Sequence, residues 1–412
     1  MRKAVLPRRI WLGVALYVAS LFFVLLQGGK TSLMLFAMLN GLAVYLFLGR
    51  WSGVGKVRVE RTLEGEGGAL GQLTAGSRLK VRLQIQVPGF WPLPYLIVRE
   101  KIARGSEVRE FELSCVPDYR RRGVIVYGTG PLRRGTYRFL ATECSTRDVF
   151  GLFEHRGTFE QPMTVKVMPR TIDLRDWSPV RMSRSGAFQR TTSALWARET
   201  TQIDGVREYM HGDRLSRIHW NATARTGEWK SKAFEREALP RLVVILERRA
   251  DVYRSAEGFE LAVSAAASLL ELGLKRGMPV GLVSVGRSGA RWFGSGRAPV
   301  SREELMEHLV DVEADGTVPL VRLLADAAER YEPGVFCVMV GPAASAGSGE
   351  ALDAIAAKRL VPCFINIREH GPQGGVHQAE TLWERTFAAR GWPFFTISRL
   401  EDLARMPGVA TA

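Results

Sequence analysis

Two uncharged apolar stretches open the chain and dominate its hydrophobic pattern. Ile10–Leu26 and Ser32–Leu48 are each seventeen residues long, and the polar segment Gln27–Thr31 separates them. Seventeen apolar residues lie at the short end of the length that crosses a bilayer as an α-helix. The pattern therefore predicts a transmembrane helical hairpin over residues 1–52. A signal peptide ending near Gly28 and a hairpin buried in a protein core are the alternatives.

Basic residues at the ends of this segment predict its orientation. Four precede the first apolar stretch and four follow the second, whereas the intervening turn has only Lys30. Cytoplasmic segments beside membrane helices are enriched in Lys and Arg. The pattern predicts a multi-pass protein of the inner (plasma) membrane with cytoplasmic soluble domains. The flanking residues are Arg2, Lys3, Arg8, Arg9, Arg50, Lys56, Arg58 and Arg61.

Between residues 53 and 170 the pattern changes to short runs in which apolar and polar residues alternate. Leu79–Val87 is the clearest, and its period of two predicts a strand with one buried and one solvated face. Glycine and proline separate such runs, which predicts an antiparallel β-sandwich of about a hundred residues. The other runs are Val57–Leu63, Leu96–Ile102, Val108–Val116, Val124–Tyr127, Tyr137–Ala141 and Thr164–Met168.

From residue 241 to residue 412, strand-like runs alternate with helical segments. Leu242–Leu246 is apolar throughout, as in a strand buried on both faces. The alternation predicts a parallel, doubly wound α/β sheet, whose ligands bind at the carboxyl ends of the strands. The other predicted strands are Val280–Val285, Val335–Val340, Val361–Ile367 and Phe394–Ile397. The predicted helices are Phe259–Arg276, Arg302–Val310, Leu320–Arg330, Leu352–Arg359, Leu382–Ala389 and Glu401–Arg405.

The formal net charge of +15 narrows the class of partner. Residues 1–61 hold nine Lys and Arg against one acid, so over half of the excess lies beside the apolar stretches. This position fits anionic lipid headgroups better than nucleic acid. The four cysteines lack Cys-x-x-Cys spacing, which argues against a zinc site or a dithiol redox motif. No dinucleotide-binding turn or nucleophile elbow follows Leu242–Leu246, so no cofactor is predicted.

Residues 171–240 are predicted to form a basic linker, irregular up to residue 205, that carries a dense polar motif. Asp213 is a suitable N-cap and Gly227 a suitable terminator for a short helix. In such a helix one face packs and the opposite face is basic. The packed face holds Leu215, Ile218, His219 and Ala222, and the basic face holds Arg214, Arg217, Asn221 and Arg225. The predicted interaction residues are Arg207, Tyr209, Gly212, Asp213, Arg217, His219, Trp220, Arg225 and Lys232.

Two alternatives remain open for this motif. Its arginines either clamp acidic residues of the chain or dock an acidic partner or a phosphate. The candidate acids for the clamp are Glu208, Glu235 and Glu237. His219 is either a partly buried side chain that packs near Trp220 or the base of a hydrolase, oriented by Asp213 or Glu208.

The motif resembles the signature of a family of bacterial membrane proteins, the domain-of-unknown-function family fifty-eight. The matching residues are Tyr209–Asp213, Arg217–Trp220 and Thr223–Arg225. Arg147–Phe153 is similar to the family's Asp-Pro-Phe-Gly-Leu-Phe, with Val149 in place of the proline. The resemblance covers almost the whole chain. It implies two transmembrane helices, a β-rich domain and a C-terminal von Willebrand factor A-like domain.

The resemblance also implies a function and partners. Family members are often encoded near a MoxR-type AAA+ ATPase and a transglutaminase-like membrane protein, which implies a role in assembly, maturation or stress response of the cell envelope. Together with the lack of an enzyme motif, this favours a membrane-anchored, non-enzymatic scaffold. A hydrolase using His219 is the alternative.

The resemblance raises the question of a metal site. Von Willebrand A-like domains often hold Mg²⁺ through Asp-x-Ser-x-Ser after the first strand, together with a later Thr loop. Here Glu247, Arg249 and Asp251 stand at those positions, and Arg248 adds a second positive charge that repels a dication. Asp315–Thr317 resembles the later loop. We therefore predict no bound metal.

Overall fold

Contacts divide the computed structural model into two units, Met1–Met168 and Pro169–Ala412. The structure describes residues 8–49, 52–65, 71–149, 151, 153–174, 197–210, 215–238, 241–287, 289–294, 300–331, 335–343, 360–369 and 376–405. The predicted helix Leu352–Arg359 lies outside these residues, as do Gly212 and Asp213. The division into residues 1–52, 53–170, 171–240 and 241–412 stays a prediction.

Two consecutive helices, α1 (Arg8–Gln27) and α2 (Lys30–Gly49), begin the first unit. The dipeptide Gly28–Gly29 joins them with φ angles of 62° and 98°, a left-handed backbone that favours glycine. The helices contact each other, since the Tyr17 hydroxyl donates a hydrogen bond to Asn40 Oδ1 at 3.0 Å.

Only one of these apolar helices, among the described residues, is long enough to cross a membrane. It lies within Lys30–Lys56, with a mean hydropathy of 1.9, and few of its residues are buried. The apolar part of the first helix, Gly13–Gln27, is shorter. One such helix is weak support for membrane association, and the two-span anchor stays a prediction.

Two β-sheets form the rest of the first unit. The strands are β1 (Arg58–Glu64), β2 (Leu73–Thr74), β3 (Lys80–Gln86), β4 (Leu96–Arg104), β5 (Glu107–Cys115), β6 (Arg122–Gly128), β7 (Gly135–Phe139), β8 (Thr142–Arg147), β9 (Glu154–Phe159) and β10 (Met163–Met168). One sheet has the order β1-β3-β6, and the other has the order β2-β10-β7-β4-β8-β9 with β5 paired to β4. All pairs are antiparallel except β10 with β2.

All seven runs predicted as strands in this region are strands. In β3 the buried residues are Val81, Leu83 and Ile85, as its alternation requires. The sequence did not predict β2, β8 or β9. The composition of β8, Thr-Glu-Cys-Ser-Thr-Arg, is polar although most of its residues are buried. A hydrophobic pattern therefore cannot reveal it.

The inner faces of both sheets contribute to one hydrophobic core. Val81 and Leu83 of the first sheet and Val98 and Phe139 of the second belong to the same buried cluster. A shared core of this kind agrees with the predicted sandwich.

A β-hairpin, β11 (Ala197–Glu208) and β12 (Lys230–Ala238), begins the described part of the second unit after residue 174. The two strands pair antiparallel, with register shifts at Ile203. The prediction of an irregular segment up to residue 205 is therefore wrong for Ala197–Gly205. β-Branched Thr200, Thr201 and Ile203 favour the strand, despite the polar composition.

The rest of the second unit is an α/β sheet. Its strands are β13 (Leu242–Leu246), β14 (Val280–Gly286), β15 (Gly289–Phe293), β16 (Phe336–Gly341), β17 (Val361–Ile367) and β18 (Phe394–Ile397). Its helices are α4 (Ala256–Lys275), α5 (Arg302–Asp311), α6 (Leu320–Arg330) and α7 (Val376–Ala389). A further helix, α3 (Trp220–Thr226), lies between β11 and β12.

The sheet has the order β15-β14-β13-β16-β17-β18. Its strands are parallel, except that the unpredicted β15 pairs antiparallel with β14. The strand and helix segments predicted here are confirmed, apart from Leu352–Arg359, which is not described, and Glu401–Arg405. The latter is a 3-10 turn over Leu400–Ala404. Strand order reverses around β13, so the carboxyl end of β13 is where a doubly wound sheet binds ligands.

Candidate interaction site

The signature residues that the structure describes lie on the connection between β11 and β12. Two backbone–backbone hydrogen bonds and one bond to a side chain hold this connection in place. Tyr209 N donates to Trp229 O at 3.0 Å, and His219 N donates to Lys230 O at 2.8 Å. The third bond runs from Lys230 N to Thr223 Oγ1 at 3.0 Å. The backbone on both sides of α3 is therefore fixed to the start of β12.

The helix in this connection starts later than the sequence predicts. Leu215–Arg217 is a 3-10 turn, and Ile218 forms an antiparallel bridge with Ser231 that a continuous helix would prevent. Ile218 is only 1% exposed, so its burial stabilises the extended conformation. The single helix beginning at Asp213, with its packed and basic faces, is therefore wrong.

His219 is the N-cap of α3. Its Nδ1 accepts a hydrogen bond from Ala222 N at 3.1 Å. A nitrogen that accepts a hydrogen bond carries no proton, so the neutral ring holds its proton on Nε2. Gly227, with φ of 75°, ends the helix as predicted.

Three aromatic rings cluster at the end of the hairpin. The ring centroids of Tyr209 and Trp229 are 5.9 Å apart, and those of Trp220 and Trp229 are 6.1 Å apart. Trp220 is 62% exposed and Trp229 is 53% exposed. Met210 and Leu215 on the same connection are also exposed. We call these five residues the aromatic tip.

Charged residues lie beside the tip along the chain. Lys230 forms ion pairs with two exposed acids, Glu208 at 3.6 Å and Glu228 at 3.3 Å. Arg225 is exposed in the last turn of α3, and Lys232 is half-buried on β12. Pairs with exposed partners of this kind stabilise little, because water and salt screen them.

The predicted site residues are thus only partly brought together. Tyr209 and Trp220 both lie next to Trp229, and His219 caps the helix that carries Trp220 and Arg225. The side chains of Arg207 and Arg217 lie outside the described residues, as do Gly212, Asp213 and the side chains of the proposed clamp acids Glu235 and Glu237. Leu215 was predicted on the packed face of the helix and is exposed instead. The exposure of Met210 and Trp229 was not predicted, since an apolar residue in a sequence is normally assigned to a core.

The described residues give the hydrolase alternative no support. Nδ1 of His219 accepts the hydrogen bond of the helix cap, and Glu208 lies 3.6 Å from Lys230 Nζ. A general base needs an acceptor atom within hydrogen-bond reach of the proton that it takes.

A second candidate site lies at the carboxyl end of β13. The guanidinium of Arg248 is nine-tenths buried. It donates to Ser284 Oγ at 3.1 Å and to Glu313 O at 3.0 Å, and it pairs with Asp315 Oδ1 at 2.5 Å. Gly286 leaves the space for it, since a Cβ there would collide with the guanidinium. A fixed positive charge therefore lies at the reversal point of the sheet.

The neighbouring carboxylate of Glu247 is buried and paired. Its Oε1 accepts from the backbone N–H groups of Arg248 and Arg249, each at 3.1 Å, and its Oε2 lies 3.5 Å from Arg249 Nε.

Burial and the charges of Arg248 and Arg291 lower the pKa of His308 to about 4. The described residues contain no group of three or more His, Cys, Asp or Glu suited to a metal. The absence of a bound metal stays a prediction.

Comparison with known proteins finds one family model and one curated relative that are similar to this chain. A family model described as protein of unknown function DUF58 matches residues 205–333, which include the hairpin connection and β13 to α6. The chain is also 26% identical over 256 residues to the uncharacterized protein YeaD of Bacillus subtilis (strain 168), and this match covers 61% of this chain. The chain spans about 62% of the length of that relative. Both findings support the DUF58 family.

Solved structures resemble parts of the chain only distantly. A Bordetella pertussis structure assigned to ApaA is 14% identical, covers 27% of this chain and 93% of its own, and has a TM-score of 0.20. The CARDB domain of a Pyrococcus furiosus protein is 16% identical, covers 27% of this chain and 88% of its own, and has a TM-score of 0.17. Similarity at this level carries no functional argument.

Proposed function

We propose that this chain is a membrane-anchored, non-enzymatic interaction protein. In this proposal α1 and α2 form a two-span anchor in the plasma membrane, and both soluble units lie in the cytoplasm. A MoxR-type AAA+ ATPase is the proposed protein partner, together with a transglutaminase-like membrane protein. The process is assembly, maturation or stress response of the cell envelope.

The observation that supports this proposal is the form of the signature region. Its described residues lie on the connection at the end of a hairpin, where Trp220 and Arg225 are exposed and Tyr209 and His219 are partly exposed. A catalytic site normally needs a concave pocket that excludes water, whereas an interaction surface presents aromatic and Arg side chains to a partner.

The α/β sheet supports a von Willebrand A-like assignment. Its strands are doubly wound, and Glu247–Asp251 follows the first strand at the point where such domains bind ligands. The buried Arg248 guanidinium adds positive charge beside this loop, so partner binding here is proposed to be independent of Mg²⁺.

Photo-crosslinking followed by purification from native membranes tests the protein partnership. We expect the full chain to capture an AAA+ ATPase, and Arg217→Glu to weaken this capture at least about tenfold, as loss of a charge-assisted contact does. Arg322→Glu, at an exposed position of α6, is the matched control. Capture that survives Arg217→Glu and Arg225→Glu together would count against the signature as the docking surface.

The membrane topology has its own test. We expect the full chain to resist extraction by alkaline carbonate, and its soluble units to be protected from protease added to intact spheroplasts. Digestion of both units from outside the cell would rule out the cytoplasmic location, and extraction without detergent would rule out the anchor.

A further inference from the structure

The aromatic tip is unusual for a surface in water. Two tryptophans, a methionine and a leucine are each more than half exposed at one end of a hairpin: Met210, Leu215, Trp220 and Trp229. The largest apolar patch on a monomeric protein covers about 300–600 Å² and is often functional. A partner that covers the tip is therefore expected.

The hairpin itself holds the tip in place. Trp220 begins α3, directly after the His219 cap, and Trp229 is the last residue of the connection, directly before β12. Backbone hydrogen bonds from Tyr209 to Trp229 and from His219 to Lys230 fix both positions. The rings are therefore presented outward on a fixed backbone and do not need to be ordered on binding.

The charge around the tip favours an anionic partner. Residues 206–232 contain six Lys and Arg against three Asp and Glu. Tryptophan and tyrosine with adjacent basic residues are the side chains that prefer the headgroup region of a bilayer, where the ring meets the apolar boundary and the cation meets phosphate.

The size of the tip favours a lipid surface over a protein. Four side chains exposed to this degree present on the order of 500 Å², given 150–250 Å² for a whole aromatic side chain. A stable protein interface needs about 800 Å² from each partner. A membrane contact can be smaller, because an anchor in the same chain holds the surface at high effective concentration.

We propose that the aromatic tip docks on the anionic cytoplasmic surface of the membrane, as a second lipid contact of the soluble part. This inference rests on the proposed membrane anchor. Trp220, Trp229, Met210 and Leu215 enter the headgroup boundary, while Arg225 and Lys232 face lipid phosphates.

Fluorescence quenching by brominated lipid tests this contact. The full chain is reconstituted in vesicles of phosphatidylcholine alone, or of phosphatidylcholine with about one quarter phosphatidylglycerol. The double variant Trp220→Phe/Trp229→Phe is the comparison, since tryptophans near the anchor are quenched in both proteins. We expect the wild-type protein to show additional quenching in the anionic vesicles, and the double variant to lose at least about two-thirds of this addition.

Raised ionic strength and substitutions of the basic residues test whether charge contributes to the lipid contact. Raising the ionic strength from about 0.1 M to about 1 M shortens the screening length from about 10 Å to about 3 Å, so the additional quenching should fall at least about twofold. Arg225→Gln with Lys232→Gln should reduce it in the same way, whereas the matched exposed change Arg322→Gln should not. Equal quenching of the wild-type protein and the double variant would overturn the proposal.

A photo-crosslinker at position 220 distinguishes a phospholipid partner from a protein partner in native membranes. Trp220 is replaced by benzoylphenylalanine in the full chain, and native membranes are irradiated. Crosslinking to phospholipid supports the proposal, and crosslinking to a protein instead overturns it. Carbonate extraction of the same sample reports the anchor separately, so a failure of the tip contact is distinguishable from a failure of the proposed anchor.

Discussion

The two units each bury an arginine in a hydrogen-bonded network, but the two networks differ in their access to solvent. In the first unit Arg61 and Glu100 are 0% exposed. Arg61 Nε donates to Glu100 Oε1 at 2.6 Å, and its other nitrogens donate to Thr142 Oγ1 and to Gln161 O. In the second unit Arg248 pairs with Asp315, whose side chain is 34% exposed.

This difference in exposure distinguishes Arg61, which has a structural role, from Arg248, which lies at the edge of the sheet where a doubly wound fold binds ligands. Glu100 also accepts a hydrogen bond from the Tyr127 hydroxyl, so the Arg61 network joins strands of both sheets and is closed to water. Burial raises the pKa of the Tyr127 hydroxyl far above its usual value, and the nearby charge of Glu100 raises it further. Arg248 is held just as firmly, but its acidic partner reaches solvent at the carboxyl edge of the sheet, where a ligand can compete for it.

The largest expected effect tests the closed network. Glu100→Gln leaves the Arg61 charge buried without a counter-charge, which should cost about 3–5 kcal/mol. Region-resolved hydrogen exchange of the full chain measures this loss in β1, β3 and β4. The control is Glu112→Gln, because Glu112 pairs with Arg99 on the surface and should cost less than about 1 kcal/mol. Equal losses for the two variants would remove the distinction.

The second-largest expected effect tests the Arg248 network, which reaches solvent through Asp315. Arg248→Met removes the hydrogen bonds to Ser284, Glu313 and Asp315, and we expect a loss of about 2–3 kcal/mol because Asp315 is rehydrated when its partner leaves. Hydrogen exchange in β13 and β14 measures the loss, with Arg322→Met as the exposed control. A loss as large as that of Glu100→Gln would show that both networks are equally closed.

A pH titration sharpens the comparison further. The pKa of His308 is lowered from 6.5 to about 4, so the folded state binds this proton less readily than the unfolded state. Stability of the second unit should therefore be fully present above pH 6.5 and fall as the pH drops towards 4, by about 1–2 kcal/mol.

Two variants check this assignment by the same hydrogen-exchange titration. His308→Gln should remove this part of the pH dependence. Arg248→Met should move it to higher pH, since a neighbouring positive charge is lost. An unchanged profile in both variants would contradict the link between His308 and Arg248.

The smallest effect on stability is expected at the aromatic tip. Trp220→Ala removes an exposed ring and should change the free energy of unfolding by no more than about 0.5 kcal/mol. Hydrogen exchange in β11 and β12 checks this. A loss above about 2 kcal/mol would indicate that the ring is part of a core and is not available to a partner.

The sequence predicted the elements whose hydrophobic pattern is strong. Leu79–Val87 alternates and Leu242–Leu246 is apolar throughout, and each is a strand with the expected burial. It failed where no hydrophobic pattern marks a strand. The buried strand Thr142–Arg147 is polar, and Ala197–Gly205 lacks an apolar period.

The candidate interaction site stays a prediction, and its local geometry differs from the one the sequence predicts. A suitable N-cap at Asp213 suggested a long helix, but burial of Ile218 against Ser231 determines that the helix begins after His219. Exposure of Trp229 follows from how the hairpin folds back, which local spacing does not encode. The buried partner of Arg61 is 39 positions away, beyond any local pattern.

The space left by Gly286 gives a rule for reading related sequences. A side chain at this position would meet both the Arg248 guanidinium and Asp315. Glycine at 286 and arginine at 248 should therefore vary together between species, with the larger residue at 286 appearing only where position 248 has become small. Chains that keep both residues would share the internal guanidinium, and chains that keep the glycine but have a small residue at 248 would have room at this edge for a bound ion.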